Sequence, residues 1–215
     1  MICKLNGLQS QVLVHEEPLH RPVFQNNEIR ILNVLIPPGD TSQYHIHHTP
    51  SLFIFFTSTT TGSQLQGKPA LPGKSTAGHI LFENLAPPQT RVHRVWNDDK
   101  DTFHVMDIEL LLTETEFVQK PLTLNDLKLE ADTTWIRAYR LTLSKGKDFM
   151  LRDRKHPFIL ISLNDSKIQT KQNGNTQYQT LKPGSFIDIK RSQSFSIKNT
   201  NDNTVQFVLL EMPVQ

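Results

Sequence analysis

The chain of 215 residues has very little of several things, beginning with cysteine. Its one cysteine, Cys3, excludes an intramolecular disulfide bond and fits a reducing compartment. The N-terminal residues lack a basic region followed by a long apolar segment, so we expect neither a signal peptide nor a membrane span. The net charge of +2 gives no basic footprint for nucleic acid. These absences favour a cytoplasmic protein without nucleic-acid or membrane partners.

Several common catalytic motifs are also missing. The sequence has no glycine-rich phosphate loop, no Cys-x-x-Cys pair and no Gly-x-Ser-x-Gly nucleophile elbow. It has no basic stripe interleaved with aromatic residues either. Its chemistry must therefore come from other residue types.

Helical periodicity is scarce, and short runs rich in β-branched and aromatic residues dominate. Clusters of Pro, Gly, Asn and Asp separate these runs, which predicts many short strands in an all-β sandwich or barrel. The predicted strands include Ile29–Ile36, Leu52–Phe56, Phe103–Leu112, Trp135–Leu143, Phe158–Leu163 and Val205–Met212.

The two halves of the chain resemble each other. At an offset of 107 positions Ile29-Arg30 recurs as Ile136-Arg137, Gly39 as Gly146 and Pro50 as Pro157; at an offset of 102, Asn97 recurs as Asn199, Thr102 as Thr204 and Glu109 as Glu211. We therefore predict two tandem domains, residues 1–118 and 119–215, connected through residues 113–134. The change of offset predicts a longer loop in the first half, and we place it in the low-complexity residues 57–78.

Three histidines form the candidate site. His45 and His47 are two residues apart, so on a strand both imidazoles point to the same face. His93, on a nearby predicted strand, completes a set of three nitrogen ligands. Such a set suits a divalent transition metal with open coordination positions, and we expect iron, zinc, nickel or manganese.

The first pair lies in a segment that resembles the first signature motif of the cupin superfamily. That motif is a glycine, five residues, His-x-His, three or four residues, and a glutamate. Gly39, His45 and His47 match it, but Ser51 or Leu52 stands where the glutamate belongs.

The second segment resembles the second cupin motif, which is Pro-x-Gly, two residues, His, three residues and Asn. Pro88, His93 and Asn97 match it, with Thr90 in place of the glycine. The resemblance implies two tandem cupin (jelly-roll) β-barrels. Some cupins, such as the thiol dioxygenases, bind iron through three histidines alone, and others have lost the metal.

The resemblance leaves two classes of function open. One is a mononuclear metal-dependent enzyme that acts on a small organic molecule, as a dioxygenase or, with zinc or nickel, as an isomerase or hydrolase. The other is a non-catalytic module that binds a small molecule or serves for dimerisation. A homodimer is compatible with either class.

Two further residues are candidate catalytic groups. Arg91 lies two residues before His93; if it faces inward it would recognise a carboxylate or phosphate, and otherwise it lies at the barrel mouth. His104 would act as an acid or base if it faces the cavity, but a lone strand histidine is more often exposed or satisfied in the core. Two residues could stand in for the missing glutamate. Ser51 would do so by a hydrogen bond to a metal-bound water, and His48 would do so as a ligand if a β-bulge turned it inward.

The remaining histidines, His15, His20, His79 and His156, fit no constellation. At the offsets above, His45 corresponds to Arg152, His47 to Arg154 and His93 to Phe195. Because these residues cannot ligate a metal, we expect the second barrel to bind none at this place. Arg152, Arg154 and Lys155 form either a small anion site or a solvated basic edge.

Overall fold

The computed structural model describes residues 11–112, 116–191 and 194–214, so Cys3 lies outside the described part. The described residues form nineteen β-strands and one short 3-10 helix, Val14–Glu16, which confirms the all-β prediction. No helix among them has the length and apolar character that a membrane crossing needs. Two compact units are present: one contains the described residues up to Asn26 together with Arg30–Glu109, and the other contains Asn27–Ile29 and the described residues from Leu110 onward.

The first unit consists of ten strands in two sheets, and β3 and β10 each extend one residue beyond it. The strands are β1 (Val12–Leu13), β2 (His20–Gln25), β3 (Ile29–Ile36), β4 (His45–His47), β5 (Ser51–Phe55), β6 (Thr60–Leu65), β7 (Leu71–Lys74), β8 (Ile80–Glu83), β9 (Arg91–Asn97) and β10 (Phe103–Leu110). One sheet has the order β1-β4-β9-β6-β7 and the other β2-β3-β10-β5-β8.

The second unit repeats this arrangement. Its strands are β11 (Leu127–Asp132), β12 (Arg137–Leu143), β13 (Asp148–Leu151), β14 (Phe158–Ser162), β15 (Ser166–Gln172), β16 (Asn175–Leu181), β17 (Phe186–Ile189), β18 (Phe195–Asn199) and β19 (Val205–Glu211). The sheet orders are β11-β12-β19-β14-β17 and β13-β18-β15-β16, which match those of the first unit strand for strand apart from β1.

All six of the predicted apolar runs are strands. The run Ile29–Ile36 has the predicted bounds, and the ends of the others differ by one or two residues. In β10 every residue except His104 is buried. A strand that is covered on both faces reads as a continuous apolar run, which explains why these segments do not alternate cleanly in the sequence.

Each unit has its own apolar core between its two sheets. In the first unit the core includes Leu32, Val34 and Ile36 of β3, with Phe103 and Val105 of β10. The core of the second unit contains, among other residues, Tyr139, Leu141, Phe158, Phe195, Phe207 and Leu209. Burial of this apolar surface is the main contribution to the stability of each unit.

The prediction that residues 57–78 form a long loop is wrong. Most of this segment is a hairpin, in which β6 pairs with β7 from Thr60↔Lys74 to Ser63↔Leu71. Four of the five extra residues of the first unit lie between β8 and β9 instead. Glu83, opposite Ser51, is ten positions before His93, whereas Ile189, opposite Phe158, is six positions before Phe195.

The repeated glycine and asparagine make the same bonds in both units. The side-chain nitrogen of Asn97 donates to the carbonyl oxygens of Ile36 (2.9 Å) and Asp101 (2.8 Å), and that of Asn199 to Leu143 (2.9 Å) and Asn203 (2.8 Å). Gly39 and Gly146, both at positive φ, donate their N–H to the carbonyl of the asparagine in their own unit. These motif residues therefore hold turns, and they leave the chemistry to the histidines.

The repeated arginine and glutamate also meet in both units. Arg30 Nη1 lies 2.8 Å from Glu109 Oε2, and Arg137 Nη1 lies 3.4 Å from Glu211 Oε2. Both carboxylates are fully buried. A buried carboxylate needs such a partner, because leaving it unpaired would cost several kcal/mol by rough estimate.

Candidate metal centre

The three predicted ligands lie together on two neighbouring strands. Strands β4 and β9 are antiparallel, and His45 lies directly opposite His93. His47 follows on the same face as His45, with Ile46 between them on the other face. One ring nitrogen from each histidine lies within 4.8 Å of the other two, and His47 Nε2 is 3.1 Å from His93 Nε2.

These distances and partners fit a metal ion. Two nitrogen ligands, each about 2.0–2.1 Å from one ion, lie roughly 3 Å apart in neighbouring coordination positions. His45 Nε2 is buried and has no hydrogen-bond partner among the described residues. A buried nitrogen of this kind needs a partner, and an ion shared by the three rings would provide one.

The electrostatics keep all three rings neutral, as metal ligation requires. Burial, followed by electrostatic repulsion from the neighbouring His20, lowers the pKa of His45 to about 4. Burial and the neighbouring His45 lower the pKa of His93 to about 2. The pKa of His47 is likewise well below its ordinary value, mainly through burial. At neutral pH each ring therefore keeps a lone pair.

The tautomer of His45 is set by the backbone. Its Nδ1 lies 2.9 Å from the carbonyl oxygen of Gln43. Because a carbonyl can only accept, Nδ1 carries the proton and Nε2 carries the lone pair. This hydrogen bond orients the ring for ligation through Nε2.

Asp107 lies beside Nδ1 of His47, as the Gln43 carbonyl lies beside Nδ1 of His45. Asp107 was not among the site residues predicted from the sequence. Its Oδ2 is 3.5 Å from His47 Nδ1, and its carboxyl group is almost completely buried. Neither oxygen of Asp107, nor His47 Nδ1, has a hydrogen-bond partner among the described residues. Burial, followed by the nearby charge of Glu109, raises the pKa of Asp107 well above its ordinary value. A carboxylate behind a ligating histidine is the usual means of orienting that ring.

The sequence did offer one signal. Asp107 comes two residues after Val105 and four after Phe103, so it shares a face of β10 with these core residues.

His20 also belongs to the site, although the sequence placed it in no constellation. Its ring centroid is 4.4 Å from that of His45, and its Nδ1 is 2.6 Å from Glu17 Oε2. Burial would raise the pKa of Glu17, but hydrogen bonds from His20, Gln43 and Leu19 outweigh it and lower that pKa. The Glu17-x-x-His20 spacing was the signal that the sequence offered, and neither of the two cupin motifs contains it.

A cavity of about 280 Å³ opens beside the histidines. Its lining includes His20, His47, His93 and Asp107. Phe53, Phe55 and Phe103 supply apolar surface, and Lys74, Glu83 and Arg91 supply charge. The combination of apolar walls with a few polar groups is typical of a small-molecule pocket.

Arg91 lines the cavity, which is the first of the two placements considered for it from the sequence. It also has a partner that the sequence did not indicate. Its Nη1 and Nη2 donate to Glu83 Oε2 (2.7 Å) and Oε1 (2.5 Å). This two-pronged pair neutralises the guanidinium. Arg91 therefore offers an incoming anion less charge than a free arginine would.

His104, Ser51 and His48 lie elsewhere. His104 is on the other face of β10 from Asp107; its Nε2 is 2.7 Å from Asn33 Oδ1, and its ring packs on Phe56. The hydroxyl of Ser51 donates to the carbonyl of Thr49. None of the three lines the cavity.

The second unit has no histidines at the positions that match the three histidines of the first. However, the residue that matches His45 is not Arg152, the one that the offset of 107 predicted. Phe195, the counterpart of His93, lies opposite Leu151 rather than Arg152. A shift of one residue exchanges the two faces of a strand. Both residues are buried in the apolar core of that unit.

No protein-family model matches the sequence, and no curated protein sequence matches it. Solved structures do match. AerE from Microcystis aeruginosa superposes with a TM-score of 0.61 at 12% identity, over 92% of this chain and 99% of that one. A cupin 2 conserved barrel domain protein from Leptotrichia buccalis gives 0.58 at 9% identity, over 89% and 87%.

A third match is the salicylate 1,2-dioxygenase from Pseudoaminobacter salicylatoxidans in its adduct with gentisate. Its TM-score is 0.61 at 9% identity, over 88% of this chain and 70% of that one. The fold is that of the cupins. At these identities the likeness extends to the fold alone, so the function depends on the site.

Proposed function

We propose that the first unit binds one divalent transition metal through His45, His47 and His93, and that the protein acts on a small organic molecule in the adjacent cavity. The observation that carries this proposal is the buried histidine group: two Nε2 atoms lie 3.1 Å apart beside a third ring with an unpartnered, buried Nε2. A mononuclear dioxygenase is the reaction class that this site supports best. An ion held by three protein ligands keeps open positions and, when bound, would supply Lewis acidity and, as iron, the activation of dioxygen.

The surrounding residues have separate roles in this proposal. Asp107 and the Gln43 carbonyl orient the ligand rings of His47 and His45. Phe53 and Phe55 exclude water from one wall of the cavity. Arg91 and Glu83 provide the charged contacts for a polar substrate group.

The gentisate adduct of the matched dioxygenase supports a small organic substrate. We further propose that the chain is two tandem cupin barrels divided near residue 118, that only the first holds metal, and that the protein is cytoplasmic and forms a homodimer. The matching sheet orders and the matching asparagine bonds support the tandem arrangement.

A second candidate function is a non-catalytic module that binds a small molecule. The ion pair between Arg91 and Glu83 favours it, because a cavity whose arginine and glutamate are already paired suits a mainly apolar ligand. Metal content separates the two candidates, since the module does not require an ion.

The decisive measurement is metal content per chain by plasma mass spectrometry, on protein purified without a histidine tag. We expect about one equivalent of iron, nickel, manganese or zinc, and loss of that metal in His45→Ala and His93→Ala. His79→Ala is the matched control, because His79 is exposed and lies outside the group.

Wild-type protein that carries no metal and takes none up would contradict the enzyme proposal. In that case the non-catalytic module becomes the better description. Equal metal loss in His79→Ala would show that the ion is bound at another place.

A further inference from the structure

A hollow of about 850 Å³ lies in the second unit, away from the histidine group. Four cationic residues line it: Arg152, Arg154, Lys155 and Lys171. Asp153 is the one acidic residue in its lining. This local excess of positive charge contrasts with the net charge of only +2 for the whole chain.

The hollow is built on one face of a sheet. Met150 of β13 lies opposite Ser196 of β18, and Ser196 lies opposite Lys171 of β15. These three side chains therefore share a face and line the hollow together. Arg152 follows directly after β13, at the end of the row.

The arginine at the base of the hollow is held in place. Arg154 Nη2 donates to Glu211 Oε1 and to the carbonyl oxygen of Lys120. Its side chain is only 13% exposed, and its Nε is buried without a hydrogen-bond partner among the described residues. Arg154 therefore contributes to the lining with an orientation that these two hydrogen bonds hold in place.

The carboxylate that holds Arg154 does not neutralise the hollow. Glu211 also accepts a hydrogen bond from Tyr139 (2.7 Å) and pairs with Arg137 (3.4 Å). Arg137 also pairs with Asp132 at 2.9 Å, so two carboxylates balance the two guanidinium groups of this network. The positive charge that is available to a ligand therefore comes from the other cations of the lining.

The other cations of the hollow have no carboxylate partner in the described part of the chain. The guanidinium of Arg152 donates a hydrogen bond to the sulfur of Met150, and neither Lys155 nor Lys171 forms an ion pair with a described residue. Two other exposed lysines of the unit differ in this respect, since Lys145 pairs with Asp202 and Lys182 with Asp165.

We propose that this hollow is a binding site for a small anion that carries two or more negative charges on phosphate or carboxylate groups. Guanidinium groups recognise both through paired N–H donors, and ammonium groups add attraction without fixed geometry. The site uses no residue of the first unit, so the proposal is independent of the metal centre.

Isothermal titration calorimetry on the full chain tests this site at low ionic strength. The probes are pyrophosphate and citrate, each compared with sodium chloride of the same ionic strength. We expect binding of at least one probe beyond the chloride reference. Pyrophosphate alone would indicate a phosphate ligand, citrate alone a carboxylate ligand, and both a site for either group.

The variant Arg152→Gln/Lys171→Gln removes two cations that are outside the buried network, so the fold should be retained. We expect it to bind the probe at least tenfold more weakly. Lys145→Gln/Lys182→Gln removes the same charge from elsewhere in the unit and should bind as the wild type does. The site is refuted if neither probe binds, or if both double variants lose affinity equally. Repeating the titration on His45→Ala separates this result from the metal proposal, because anion binding should not change.

Discussion

At the scale of single residues, we expect Asp107 to position the ring of His47. It lies 3.5 Å behind His47, and burial raises its pKa. A ring that is oriented from behind keeps its lone pair directed at the ion, because the second nitrogen cannot rotate into that position. The contact joins residues 60 positions apart in the chain, so it depends on the placement of β10.

We expect Asp107→Asn to lower metal affinity by roughly 10–100-fold while leaving the chain folded. The amide is isosteric and avoids a buried charge, so the free energy of unfolding of the metal-free protein should not fall. Competition with a chelator of known affinity measures the first effect, and urea unfolding measures the second.

His104→Ala is the matched control for that variant, because His104 is on the opposite face of the same strand. Wild-type metal affinity in Asp107→Asn would mean that Asp107 does not orient His47. A loss of similar size in His104→Ala would point to a general disturbance of β10.

At the scale of elements, the hairpin of β6 and β7 shows how packing determines a residue type. Gly62 of β6 lies opposite Trp96 of β9. A Cβ atom at Gly62 would lie 2.0 Å from Trp96 Cζ2, which is far inside contact distance. Gly73 of β7 differs, since its Cβ would meet nothing nearer than the Thr61 oxygen at 3.9 Å.

Gly62→Ala should therefore destabilise the protein by about 1–3 kcal/mol, because the indole must move. It should also change the emission of Trp96. Gly73→Ala should change the free energy of unfolding by only about 0.5 kcal/mol, as is usual for surface substitutions. Chemical unfolding followed by tryptophan fluorescence compares the two variants. Equal effects would mean that Trp96 does not occupy the space over Gly62.

The elements differ in how well the sequence predicts them. The apolar runs were readable because β-branched and aromatic residues in buried strands form a local signal. The hairpin within residues 57–78 could not be predicted in this way, because Thr, Ser, Gly and Gln are also common in loops. The placement of most of the extra residues between β8 and β9 required the strand pairing, since a change of offset does not say where the residues were added.

At the scale of the whole molecule, the repeated asparagines make the same hydrogen bonds in each of the two units. In each unit the side-chain amide donates two hydrogen bonds to backbone carbonyls and accepts one from a backbone N–H, at 3.0 Å for Asn97 and 2.8 Å for Asn199. Both residues are fully buried. The stabilising contribution should therefore be the same in the two halves.

We expect Asn97→Ala and Asn199→Ala each to destabilise the protein by about 2–4 kcal/mol, at roughly 1 kcal/mol for each buried hydrogen bond. Thermal and urea unfolding measure these changes. Asn203→Ala is the control, because that side chain is exposed and only its backbone carbonyl accepts a bond. Clearly unequal effects of Asn97→Ala and Asn199→Ala would contradict the common bonding pattern.

The sequence by itself determined the all-β class, the positions of the main strands and the shared face of His45 and His47. These features depend on local preference and on the two-residue period of a strand, which are present in any short segment. Only the tertiary structure decided that Asp107 and His20 join the histidines, that Glu83 neutralises Arg91, and that Leu151 rather than Arg152 lies opposite Phe195. Those contacts depend on register and on the lengths of distant connections, and a shift of one residue reverses which side chains meet.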